Sequence, residues 1–134
     1  MANLLKIEGI GAVYATKLAE AGITTTQGLL KAGSNPKGRK ALSEKIGIGE
    51  KLILEWVNLA DLFRIKGVGE EYSDLLEEAG VDTVKELRNR NPENLFNALK
   101  ATNAEKRLVR RLPSLSAVKN WVDQAKSLEP LITY

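Results

Sequence analysis

The chain has 134 residues, enough for one ordinary domain or two small ones, and its 43% hydrophobic and 28% charged residues are those of a soluble globular protein. It contains no cysteine and no histidine, which excludes disulfides, zinc and iron–sulfur sites of the usual ligand types, thiol nucleophiles and every imidazole base. Lys and Arg outnumber Asp and Glu by 20 to 17, and a net charge of +3 does not by itself imply nucleic acid.

The first segment, Leu4 to Ile7, predicts a short helix over 3–7 that runs into Gly9-Ile10-Gly11. Helices are predicted next over 12–21 and 25–32, with Gly22 ending the first and the capping-box spacing Thr24-Thr25-Thr26-Gln27 opening the second. Asn35-Pro36 starts a helix over 36–46, where a capping side chain precedes a proline whose missing N–H is not needed. That helix carries Lys37, Arg39 and Lys40 and ends at Gly47-Ile48-Gly49. Over 50–64 the apolar stripe Leu52, Ile53, Trp56, Leu59, Ala60 and Phe63 predicts a buried helix, widened by Leu54, Val57 and Leu62.

Gly67-Val68-Gly69 follows without a linker, then an acidic helix over 70–79 with Glu70, Glu71, Asp74, Glu77 and Glu78. Gly80 ends it, Thr83-Val84-Lys85-Glu86 opens a helix over 83–90, and Asn91-Pro92 opens one over 92–111. On that last helix, at 100° per residue, Lys106, Arg107, Arg110 and Arg111 fall in an arc of about 140° opposite Leu108, Val109 and Leu112. Val118, Trp121, Val122 and Ala125 mark a final helix over 115–128, and 129–134 reads as a tail. No stretch alternates with period two for long enough to be a strand, and no apolar run approaches the ~18 residues of a membrane span. The first residues have neither the basic flank nor the apolar core of a signal peptide, so the expected location is the cytoplasm.

A shift of 58 places aligns Ile7–Leu30 with Ile65–Arg88 and makes ten of 24 positions identical, among them Gly9/Gly67, Gly11/Gly69, Tyr14/Tyr72, Leu18/Leu76, Thr25/Thr83 and Leu29/Leu87. Asn35-Pro36 recurs as Asn91-Pro92, and Trp56-Val57 as Trp121-Val122. The expected fold is therefore all-α: duplicated lobes, 1–62 and 63–134 (the second with the tail), sharing the 50–64 helix in one compact unit.

Gly9-Ile10-Gly11 with Ala15 and Leu18, and Gly67-Val68-Gly69 with Ser73 and Leu76, resemble the helix-hairpin-helix motif; Gly47-Ile48-Gly49 departs from it, with bulky Ile53 in place of the small residue. Over nearly its full length the sequence resembles a family of unknown function built from tandem helix-hairpin-helix units (domain of unknown function 4332-like), on Lys37-Gly38-Arg39, the stretch from Trp56 to Gly69, Val109-Arg110-Arg111-Leu112-Pro113 and Ala125-Lys126. The resemblance implies that such hairpins hold DNA phosphates without reading bases, which carries over to the backbone of Gly9, Ile10 and Gly11.

Physically, glycines allow the chain to reverse, and the amides opening the next helix are unpaired at the positive end of its dipole. The expected function is non-catalytic, sequence-independent nucleic-acid binding. Gly9, Ile10, Gly11, Gly47 and Gly49 lie at its hairpins, and Lys37, Arg39, Lys40, Arg107, Arg110 and Arg111 supply charge. No Walker loop, dinucleotide fingerprint or nucleophile elbow is present, and no metal or cofactor is expected. The alternative is a protein-interaction adaptor or self-associating module, in which the acidic 70–78 helix of one chain meets the basic 106–111 helix of another. Charge disfavours the second hairpin for phosphate, because Glu70, Glu71 and Asp74 follow it.

Overall fold

Side-chain caps open several helices of this chain, and glycines without a side-chain cap open two others. A computed structural model describes residues 3–134. A 3-10 turn, Leu4–Lys6, is followed by α1 (Ala12–Glu20), α2 (Thr26–Ala32), α3 (Pro36–Ile46), α4 (Glu50–Leu62), α5 (Glu70–Glu78), α6 (Val84–Arg88), α7 (Pro92–Lys106) and α8 (Leu115–Ser127). Among the described residues there is no strand, only an isolated antiparallel bridge between Asn3 and Thr25. The structure is all-α.

Asn35 accepts from the Gly38 N–H at 2.7 Å, and Asn91 from the Glu93 and Asn94 N–H groups at 3.0 Å, each with proline at the first helical position. Thr25 and Thr83 cap α2 and α6, accepting from the Gly28 and Glu86 N–H groups at 3.0 and 3.1 Å. The cap of α2 is thus Thr25, one place after the box spacing puts it. The box at Thr83 is also incomplete, since the Glu86 carboxylate turns to Arg90, whose Nη2 lies 2.8 Å away.

The chain divides into two compact units where one was expected. The first runs to Asp61 and takes back Leu131–Tyr134; the second is Leu62–Pro130. Placing the tail with the second lobe is therefore wrong for its last four residues, because Ile132 is buried in the core of the first unit.

That first core gathers Leu4, Ile7, Ile10, Leu18, Ile23, Leu29 and Leu30 around Ile53, Trp56 and Val57 of α4. The second gathers Ile65, Val68, Leu76, Val81 and Leu87 around Val118, Trp121 and Val122 of α8. Aligned positions of the repeat are buried alike, and burying each such aliphatic side chain is worth about 1.5–3 kcal/mol.

Each unit also holds one glycine–tyrosine–tryptophan set. Tyr14 and Trp56 pack with ring centroids 5.1 Å apart at 55°, and Tyr72 and Trp121 at 5.3 Å and 51°. In both, the indole nitrogen lies under the first glycine of the turn, 3.6 Å from where a Cβ on Gly9 would stand and 3.1 Å from one on Gly67. Ser73, at the place of Ala15, is fully buried and gives its hydroxyl to the Glu70 carbonyl at 3.0 Å.

Candidate nucleic-acid interface

The first hairpin is built by short-range hydrogen bonds. Ile7 N–H donates to the Leu4 carbonyl at 3.0 Å and Ile10 N–H to the Ile7 carbonyl at 3.1 Å, while Gly9 takes φ +91°. Ile10 is 4% exposed, its side chain plugged into the core. Its amide and side chain are both engaged internally, so Ile10 positions the turn and is not a phosphate donor.

Only the first glycine uses the left-handed region. Gly11 stands at φ −91°, ψ −174° as the N-cap of α1, with no side-chain cap and with nothing within 4 Å of the space a Cβ would fill. Neither backbone strain nor crowding requires glycine there. Gly9, Gly11, Ala12 and Val13 are exposed. The amides opening α1 have no intrahelical acceptor, and no acidic residue lies in its first turn. Lys6 and Lys17 are exposed to either side, with Glu8 the nearby acid.

The second hairpin has the same backbone and the opposite chemistry. Gly67 takes φ +96°, Val68 is buried, and Gly69 caps α5 at φ −114°, ψ −155°, again with open space beyond it. Glu70 and Glu71 occupy the first turn of α5. They complement the helix dipole and repel a phosphate.

The turn at 47–49 is different again. Gly47 ends α3 in the left-handed conformation, φ +72°, and its N–H donates to the Ser43 carbonyl at 2.9 Å. The Ser43 hydroxyl donates to the Ile48 carbonyl at 2.6 Å. Gly47 is thus a helix terminator with its amide taken, while Gly49 is exposed before Glu50.

Two of the basic groups are not placed as the sequence suggests. Lys37 and Lys40 are exposed on α3, but Arg39 between them is 5% exposed. Its Nη1 donates to the Gly33 carbonyl and its Nη2 to the Thr133 carbonyl, each at 2.8 Å. Arg39 is a structural residue, withdrawn from any phosphate.

The second departure is the helix over 92–111. It stops at Lys106, because Arg107 adopts φ +52°, ψ +48° and closes α7 with its N–H on the Asn103 carbonyl at 2.8 Å. Asn103 then clamps the returning chain, its Oδ1 accepting from the Val109 N–H at 2.9 Å and its Nδ2 donating to the Val109 carbonyl at 3.1 Å. Val109 is buried, and the Tyr72 hydroxyl donates to the Arg111 carbonyl at 2.9 Å. The 140° arc therefore does not exist. Arg107, Arg110 and Arg111 are exposed on a braced loop instead.

Lys106 pairs with Glu78 of α5 in the same unit. The hydrogen bond that Lys106 donates to the Glu78 carboxylate raises the Lys106 pKa above the ordinary lysine value, with the Glu78 charge adding to it. Asp74, Glu77 and Glu78 bring carboxylate oxygens within 4.8 Å of one another, with Glu78 engaged by that lysine. The candidates are divided between the units: the three glycine turns split two to one, Lys37, Arg39 and Lys40 lie in the first, and the three arginines lie in the second. Asn103 and the tail partners of Arg39 had no local signal in the sequence.

An all-helical chain of two units, each opening on a Gly–aliphatic–Gly turn over a buried tryptophan, is the class that this geometry defines. The chain belongs to the family described as Domain of unknown function (DUF4332), whose model matches residues 8–128. No curated protein and no solved structure matches it. No helix among the described residues is long and apolar enough to cross a membrane.

Proposed function

We propose that the two units are helix-hairpin-helix repeats, and that the first binds nucleic acid through its phosphate backbone without reading bases and without catalysis. The observation that carries the reading is Gly11: an exposed, uncapped helix start whose glycine serves no internal need and so leaves room for a ligand. Phosphate oxygens approach the amides of Gly11, Ala12 and Val13 beside Gly9, with Lys6 and Lys17 adding charge. Val13, 70% exposed, offers apolar contact at the same helix start. Gly49, Lys37 and Lys40 are the further candidates within the first unit, and the exposed Arg107, Arg110 and Arg111 of the second unit offer phosphate contacts of their own. The adaptor alternative has less support, since Glu78 and Lys106, one from each helix it would join between chains, already meet within one unit.

The test is a gel-shift titration on random duplex DNA and RNA in increasing salt. Binding weakens with a log–log slope of about −0.9 per phosphate contacted on duplex DNA, and Arg110→Ala with Arg111→Ala flattens that slope. Gly11→Asp gives α1 a better N-cap, worth a few tenths of a kcal/mol, and at the same time repels phosphate, reducing affinity about tenfold or more. A folded protein that shifts neither nucleic acid at low salt overturns the proposal.

A further inference from the structure

The segment 131–134 is bound to the first unit in the way that a recognition groove binds an extended peptide. Thr133 N–H donates to the Ser34 carbonyl at 2.7 Å, and the Thr133 carbonyl accepts from Arg39 Nη2 at 2.8 Å, so both main-chain groups of one residue are read. Ile132 is seated in the core with 9% exposure. The Arg39 guanidinium lies 6.0 Å from the centre of the Tyr134 ring, at cation–π distance.

The receiving surface is braced from within the first unit. Arg39 is held from the other side by the Gly33 carbonyl, and α2 and α3 meet at glycines that tolerate no side chain. A Cβ on Gly33 would stand 2.5 Å from Val57 Cγ2, and one on Gly38 would stand 2.3 Å from the Ala32 carbonyl oxygen. Beside Leu131, itself 42% exposed, a cavity of about 290 Å³ lined by Gln27, Leu30, Lys31 and Ser34 stays open.

We infer that the α2–α3 turn of the first unit is a docking groove for an extended polypeptide segment of the pattern large apolar–Ile–Thr–aromatic, occupied in this structure by the chain's own Leu131-Ile132-Thr133-Tyr134. The tethered segment acts as a latch with a high local concentration, and a partner segment competes with it by the same two main-chain hydrogen bonds and the same socket. A larger apolar group in the place of Leu131 fills the open cavity and favours the partner. This inference is independent of nucleic-acid binding.

The probe is a fluorescent peptide of residues 128–134, blocked at both ends, followed by anisotropy. Against the full chain carrying Ile132→Asp, which empties the socket, the peptide binds saturably and at least about tenfold more tightly than to the unaltered chain. A Leu131→Trp peptide binds more tightly still, and an Ile132→Asp peptide does not bind. Thr133→Pro, which deletes the N–H given to Ser34, opens the same groove if Ile132→Asp unfolds the chain, as judged by circular dichroism. Arg39→Lys added to either opened chain weakens capture, because the single ammonium nitrogen replaces the two-nitrogen fork that spans the Gly33 carbonyl and the peptide carbonyl. A folded, opened chain that takes up neither binding peptide, or takes them up no better than the unaltered chain does, overturns the inference.

Discussion

The turns at 9–11 and 67–69 share a left-handed first glycine, a buried aliphatic residue, an open second glycine and an indole nitrogen beneath, yet one leads into Ala12-Val13 and the other into Glu70-Glu71. The backbone of a hairpin and its suitability for an anion are therefore separate properties. Packing fixes the first; two side chains at the next helix start decide the second.

Removing the indoles tests the shared part most severely. Trp56→Ala and Trp121→Ala each cost about 3–5 kcal/mol in denaturant titrations, and clearly unequal losses would break the equivalence of the two sets. The first glycines come next. Gly9→Ala and Gly67→Ala each force alanine into positive φ at about 1–2 kcal/mol, with Gly67→Ala the worse because its Cβ lies 3.1 Å from Trp121 Nε1 against 3.6 Å for Gly9 and Trp56.

The second glycines sharpen the functional contrast at little cost in stability. Gly11→Asp and Gly69→Asp both change melting by only a few tenths of a kcal/mol, but only Gly11→Asp lowers nucleic-acid affinity in the shift assay. Conversely, Glu70→Lys with Glu71→Lys raises that affinity by giving the second hairpin the charge of a phosphate site.

The smallest effect belongs to the pair Lys106–Glu78. Because the folded pKa of Lys106 is raised, its contribution is fully present below the ordinary lysine value of 10.5 and is lost as pH rises through the higher folded value. Melting temperature followed into the alkaline range shows this loss, Lys106→Met abolishes it, and added salt shrinks it.

Helix starts at Thr83, Asn35 and Asn91 were legible because a cap and its N–H lie two or three residues apart. The buried faces of α4 and α8 were legible from helical periodicity, and the repeat from self-similarity at a shift of 58 places. The end of α7 was not. Leu108, Val109 and Leu112 continue a helical pattern, and only the Asn103 clamp on Val109 shows that these apolar groups reach the core from a loop. The candidate site was half legible: glycine spacing located the turns, but which amides are free depended on Ile10 and Gly47 already having acceptors.

Sequence by itself determined the all-α class, the helix order and the opposed charges after the two hairpins, because each is written in residues close together along the chain, and the internal repeat, because it needs only the comparison of one stretch with another. Tertiary structure alone decided that Arg39 is buried under Thr133, that the last four residues belong to the first unit, and that the arginines stand on a loop. Those outcomes depend on partners nearly a hundred residues apart in one case and on a single asparagine clamp in another, and no local pattern carries the free energy of such contacts.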